Sequence, residues 1–363
     1  MTTVEYKTSL ENVVRDATDR WTVPGVVVGV LRDGKTDIRA WGVANLNTGD
    51  PLRSDALFRV ASISKVFTAT LAMTLVDEGR LDLDAAVASY LPNLRLTTAN
   101  LQDRVTVRHL LSHGSGILGD YFVDHGQGED ALTTAVSHFD TLPQLSEPDE
   151  LWAYCNSGFH LAGRVIEAIL DVPFDQAMLE RVFEPLGLER SRYFAHEAIV
   201  HPCAIGHDQI APGADEHRVA PQGYPRNRFP AGGVMSNAAD LLRFAAFHMG
   251  NGTANGTRVM AEATLKQMHE PQRSAACWAD AWGIGWDIRE FGGTRVIAHG
   301  GSINGFKSQL TLVPEQGVAV VVLTNSGRGD IVNGIIEAWV LDEYCKLRAL
   351  APQTVELSKV GSC

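Results

Sequence analysis

Ser62 and Lys65 stand three residues apart in Phe58-Arg59-Val60-Ala61-Ser62-Ile63-Ser64-Lys65, the one S-x-x-K of the chain. On a helix, side chains three apart lie one above the other on the same face, so Lys65 can reach back over the Ser62 hydroxyl. A serine attacks poorly until a positioned base takes its proton. A lysine is such a base only where burial or a nearby cation lowers its pKa toward neutrality. The opening of a helix also aims free backbone N–H groups at the serine, where negative charge would develop. The same residues fit a plainer use, a serine that caps the helix. Ser64 is a rival nucleophile, but its side chain points roughly 100° away around the helix.

Tyr154-Cys155-Asn156 is the one Y-x-N. A tyrosine near a lysine could relay protons as phenolate, and Asn156 could bind a substrate carbonyl or orient Lys65. A buried tyrosine and a helix-capping asparagine would read the same. His299-Gly300-Gly301-Ser302 ends a strand, and its paired glycines let a backbone or a ligand come close, unless they form a simple tight turn. His109 and His113 have a helical metal-ligand spacing, but no third ligand stands beside them and there is no H-E-x-x-H. No metal is expected. G-x-S-x-G, the P-loop and the dinucleotide fingerprint are all missing, so no cofactor is implied.

These residues need elements to hold them. Apolar residues at Val66, Phe67, Leu71, Met73, Leu75 and Val76, stopped by Gly79, predict the helix that carries Lys65. Before it come a helical pattern over about 9–21 and a hairpin, Val26 to Leu31 returning over Asp37 to Gly42 through Asp33-Gly34. Arg104 to Leu111 reads as a short helix capped by Thr106, and Tyr154 to Leu170 as a longer one. Residues 203–230 read as a surface excursion. Strand patterns return at Gly283–Ile288, Thr294–His299, Gly305–Val313 and Gly317–Thr324, and a helix closes the chain from Asn333 to Leu347. The fold class expected is therefore α+β, with a mainly antiparallel sheet built from both chain ends (residues 1–80 and 230–363). A mainly helical domain (81–229) is inserted between, and the site lies at their interface.

The 363 residues are 45% hydrophobic and 20% charged, ordinary for a globular protein. A net charge of −12 argues against nucleic acid or an anionic membrane surface as partner. The polar start of the chain has no signal-peptide core and no eighteen-residue apolar run occurs, so a cytoplasmic location without a membrane span is the expectation. Five widely spaced cysteines, an odd number, point to free thiols.

Taken together and in this order, Ser62-x-x-Lys65, Tyr154-x-Asn156 and His299-Gly300-Gly301 resemble the serine β-lactamase and penicillin-binding DD-peptidase family. The nearest branch looks like the class C β-lactamases, D,D-carboxypeptidases, D-aminopeptidases, D-amino-acid amidases and related esterases. Further stretches are similar: Leu83-Asp84 with Tyr90-Leu91-Pro92, Val105 to His113, Pro230 to Ser236, and Trp282 to Trp286. The resemblance spans roughly residues 10–345 and implies a mixed sheet with a helical lobe.

It also implies roles. Ser62 would be acylated, Lys65 would move its proton, and Tyr154 would share that work as base and then as acid to the leaving group. Asn156 would contact the substrate amide, and His299 would stand where many relatives have lysine. The backbone N–H groups of Ser62 and Ser302 would form the oxyanion hole. Gly300 departs from the pattern, because many relatives place there a hydroxyl that holds a substrate carboxylate. With the acidic surface, this favours substrates without a required carboxylate. The expected activity is a serine hydrolase of D-amino-acid amides or peptides, as a monomer or small homo-oligomer. The alternatives are a carboxylesterase or acyltransferase, a class C-like β-lactamase or D,D-carboxypeptidase, and a penicillin-binding sensor that acylates without turnover.

Overall fold

The computed structural model describes residues 9–210, 214, 217–220, 223–275 and 278–347. Its frame is an antiparallel sheet, nine-stranded among the described residues. The order is Arg273–Ala275, Ala279–Trp282, Asp287–Phe291, Thr294–Ile303, Phe306–Val313, Val318–Thr324, Gly25–Arg32, Lys35–Asn45 and Asp50–Pro51. The first hairpin of the chain joins the last through Val26 opposite Thr324 and Val30 opposite Val320. Strands from both chain ends thus make one sheet.

The central strands are covered on both faces, which explains their unbroken apolar runs. Val26, Val28, Val320 and Val322 pack with Val14 of the helix Leu10–Trp21 and with Val332, Ile336 and Val340 of the helix Gly329–Cys345. Val27, Leu310 and Leu323 face the main core, which includes Phe67, Leu241, Leu242 and Phe244. Between the sheet's two halves the chain forms helices joined by long loops, from the Lys65 helix Ser64–Asp77 to the single turn Phe229–Gly232.

Two expectations need correction, and one helix had none. Gly283–Ile288 is not one strand: Ala279–Trp282 ends at a turn whose Gly285 has φ +82°, and the next strand starts at Asp287. Any Cβ on Gly285 would meet that of Ala69 at 2.7 Å, so this turn is moulded to the Lys65 helix. Tyr154 does not begin the following helix, which runs from Asn156 to Leu170 with Cys155 as its N-cap. The helix Ala238–His248 was not anticipated, although Asn237 caps it by accepting from the Asp240 N–H at 2.9 Å.

Candidate active site

Ser62 lies in a 3-10 turn, Ala61–Ile63, that runs directly into the helix Ser64–Asp77. Ala61 holds φ +48°, a left-handed conformation that costs a residue with a side chain about 1 kcal/mol, so the turn before the serine is strained. Two contacts from the sheet hold it there. The Val60 carbonyl accepts from Ser308 Oγ at 2.8 Å, and Gly301 passes so near that a Cβ would fall 2.2 Å from the same oxygen. Gly301 is therefore fixed by close approach, whereas a Cβ on Gly300 would meet the flexible end of Gln309 at 3.1 Å and the Ser308 carbonyl oxygen at an ordinary 3.8 Å. We expect Gly301→Ala to push strand and serine apart and to lower turnover at least a hundredfold, with Gly300→Ala within about fivefold of wild type. Steady-state ester hydrolysis checks both.

Lys65 is wholly buried, its Nζ 3.2 Å from Ser62 Oγ and donating to the Ala231 carbonyl at 2.7 Å. The aromatic rings of Tyr154 and Phe159 stand over it, 4.9 and 5.6 Å from Nζ to their centres. Burial brings its pKa from 10.5 down to about 7, and the positive charge of Arg228 works the same way. Ser64 is not free to compete, because its buried hydroxyl accepts from the Val234 N–H at 2.9 Å.

Tyr154 sits in an extended stretch just before its helix, gripped by rings. His113 lies 4.4 Å away centre to centre, and Trp278 stacks on it at 5.3 Å with planes 6° apart. Burial pushes the phenol well above its ordinary pKa, and the Ser62 hydroxyl, within hydrogen-bonding reach, only partly opposes this. A resting phenolate is thus disfavoured, and the phenol holds its proton beside the serine. Cys155, with no role in the sequence reading, has a local one here. Its thiol accepts from the Gly158 N–H at 3.2 Å and faces the Ile117 carbonyl, so it caps the helix that carries Asn156. Asn156 donates to Asp120 at 3.2 Å and lines the cavity rather than contacting Lys65.

His299 is buried, with Nδ1 2.6 Å from the Gly300 carbonyl oxygen and Nε2 unpartnered among the described residues. Burial and the Lys65 charge lower its pKa to about 3, so it enters the site as a neutral imidazole where a lysine would bring a charge. Ser302 Oγ accepts from Lys307 Nζ at 2.8 Å. The two histidines with metal-ligand spacing are engaged apart. His109 Nε2 pairs with Asp149 at 2.8 Å and its Nδ1 accepts from the Thr106 N–H, while His113 Nδ1 accepts from the Cys155 N–H at 2.9 Å. Among the described residues no group of three His, Cys, Asp or Glu could hold a metal. Cys155, Cys203 and Cys345 are free thiols; Cys277 and Cys363 lie outside the described residues.

Ser62, Tyr154, Asn156, His299, Gly300, Gly301 and Ser302 line one cavity of about 440 Å³, with Lys65 directly beneath Ser62. Sequence reasoning missed part of its wall: His160, Trp278, Trp282, Arg228 and Tyr224. His160 follows Asn156 by one helical turn, a signal that was there to use. Trp282 ends the short strand Ala279–Trp282, and Trp278, Arg228 and Tyr224 come from turns and loops whose course no motif announces.

A serine and a buried lysine at the head of a helix, beside a large antiparallel sheet, define the class of the β-lactamase and penicillin-binding serine hydrolases. The chain belongs to the Beta-lactamase family, whose model matches residues 10–335. It is 37% identical over 314 residues to "Penicillin-binding protein 4" of Amycolatopsis lactamdurans, covering 84% of this chain and 81% of that protein. It is 26% identical to a D-aminopeptidase of Brucella anthropi, covering 87% of this chain and 59% of that longer protein. Among solved structures, the octameric penicillin-binding protein homologue from Pyrococcus abyssi superposes with a TM-score of 0.80 at 25% identity, covering 92% of this chain and 78% of that one. A class C β-lactamase from Rhodobacter sphaeroides gives 0.75 over 92% and 99% of the two chains. The expected α+β fold is thus the fold of this family, and the chain is a serine hydrolase. Among the described residues no helix is long and apolar enough to cross a membrane.

Proposed function

We propose that the chain cleaves amide bonds through an acyl-enzyme on Ser62, with D-amino-acid amides and peptides as the leading substrates. The observation that carries this reading is geometric: Lys65 Nζ stands 3.2 Å from Ser62 Oγ and 4.9 Å from the centre of the Tyr154 ring, with Ser62 and Tyr154 lining one cavity. Neutral Lys65 takes the Ser62 proton as Oγ attacks the carbonyl carbon. The developing oxyanion is received by the backbone N–H groups of Ser62 and Ser302. Tyr154 then gives its proton to the leaving nitrogen, recovers one from Lys65, and the cycle runs again with water as the attacking group. An amine cannot leave without that proton; a nitrophenolate can. The D-configuration is supported by the D-aminopeptidase relatives.

A carboxylesterase or acyltransferase using the same residues is the second reading, since ester cleavage demands less of Tyr154. Tyr154→Phe separates them. We expect amide turnover to fall 10²- to 10³-fold and p-nitrophenyl acetate turnover to fall less than tenfold, measured as kcat. Equal losses would remove the phenol from leaving-group protonation. Comparison of D- and L-alanine anilides tests the stereochemistry, and equal rates would sink the D-specific reading. A cytoplasmic location is the companion proposal, to be read from fractionation of the native host.

A further inference from the structure

Tyr154 lies in no helix or strand, so contacts outside regular structure must hold its phenol at Ser62. His113 grips the chain on both sides of it. The Ala153 N–H donates to the His113 carbonyl at 3.1 Å, and the Cys155 N–H donates to His113 Nδ1 at 2.9 Å. The imidazole also lies 4.4 Å from the phenol ring, centre to centre. A single residue thus touches each member of Ala153-Tyr154-Cys155.

The helix Val107–Leu111, with Ser112 as its C-cap, places His113 there. The Gly114 N–H returns to the His109 carbonyl at 2.9 Å, and His113 takes φ +62°. A helix end of this kind ordinarily uses glycine or asparagine. Histidine stands here instead, buried, with Nε2 lacking a hydrogen-bond partner among the described residues. The rings of Trp152, Phe159 and Trp282 pack round it. Burial and the Lys65 charge push its pKa well down, so the ring is neutral. With the proton on Nε2, Nδ1 is a standing acceptor. A helix end needs none of this. A buried imidazole with one nitrogen unpaired is costly, and what it supplies in return is the acceptor for Cys155.

We propose that His113 is a positioning residue of this active site: its carbonyl and its Nδ1 fix the chain on either side of Tyr154 and so aim the phenol at Ser62. This rests on the reading of Tyr154 as proton donor to the leaving nitrogen. His113 itself moves no proton, because its accepting nitrogen is committed to a backbone N–H.

The test pairs His113→Leu with His113→Asn on the full chain. Both remove the ring, but asparagine sets Oδ1 where the imidazole has Nδ1 and tolerates a left-handed φ, whereas leucine has no acceptor. On D-alanine anilide, His113→Leu should lower kcat about 30- to 100-fold, the scale of a small misplacement at a reacting centre. Its kcat on p-nitrophenyl acetate should fall less than about threefold. His113→Asn should restore the anilide rate to within about fivefold of wild type. In a Tyr154→Phe background, His113→Leu should cost less than about threefold more, since no phenol is left to misplace. If His113→Leu does not fold, His113→Gly takes its place, because glycine suits φ +62° and also lacks the acceptor.

A second readout needs no substrate. With the tyrosine Cζ atoms isotope-labelled for NMR, the Tyr154 resonance is the one missing from Tyr154→Phe. It should stay a single line in His113→Asn and broaden or split in His113→Leu. Equal losses on amide and ester in His113→Leu, or anilide rates alike in the leucine and asparagine variants, overturn the proposal. So does a Tyr154 resonance alike in the two. If the anilide is not cleaved, or Tyr154→Phe costs amide and ester equally, the proton-donor reading has failed. The resonance alone then decides whether His113 holds the phenol.

Discussion

Ser62→Ala will lose roughly a millionfold in turnover on any ester or amide the wild type cleaves, the scale seen when a serine hydrolase loses its nucleophile. The size follows from the surroundings. Ser64, the one other hydroxyl in the motif, is committed to the Val234 N–H and buried, so it cannot take over. The substitution removes one oxygen from a strained turn that Ser308 and Gly301 continue to hold, so thermal stability should move by less than about 1 kcal/mol. Loss of turnover with an unchanged melting temperature is the expected pair. Activity retained within tenfold would place the nucleophile elsewhere.

Lys65→Met separates activity from stability, with opposite signs. The variant should lose 10³- to 10⁴-fold in kcat/KM, because it removes the amine that stands 3.2 Å from Ser62 Oγ. It should also melt higher than wild type. A lysine whose pKa falls from 10.5 unfolded to about 7 folded binds fewer protons in the folded state between those two values. Wild-type stability therefore rises with pH across that window, by up to about 1.4 kcal/mol per pH unit, and the full cost of the buried amine is present below pH 7. Methionine, similar in length and suited to the rings of Tyr154 and Phe159, has no proton to lose. Melting curves at pH 7 and pH 9 read the difference: wild type should gain on Lys65→Met as pH rises. The same pKa places the acid limb of wild-type kcat/KM near pH 7, with activity falling below it. A limb near pH 4 would point to a carboxylate base instead.

Much of this site could be read before folding because its chemistry depends on short spacings. Ser62 and Lys65 meet through helical spacing, and the strand that carries His299 was marked by its alternation, although it runs on through Gly300 and Gly301 to Ile303 and does not stop at His299. The sheet was legible for a similar reason, since runs such as Val318 to Leu323 can only be buried on two faces. What stayed hidden depends on chain segments meeting from far apart. The strands Arg273–Ala275 and Ala279–Trp282 are too short for a pattern, yet they bring Trp278 and Trp282 against Tyr154. Cys155 gave no capping signal because thiols seldom cap helices. The surroundings of Tyr154 were also hidden: only the folded chain shows the aromatic enclosure whose burial raises its pKa. Arg228 belongs to no motif, and only the folded chain shows it on the cavity wall.

The central claim, a covalent acyl-enzyme on Ser62, is open to direct trapping. Wild-type protein turning over a p-nitrophenyl ester, quenched in acid within milliseconds and measured intact by mass spectrometry, should carry one acyl group. Proteolysis should place it on the peptide containing Ser62, and Ser62→Ala should carry none. An acyl group on another residue, or on the Ser62→Ala protein in equal amount, would contradict the account.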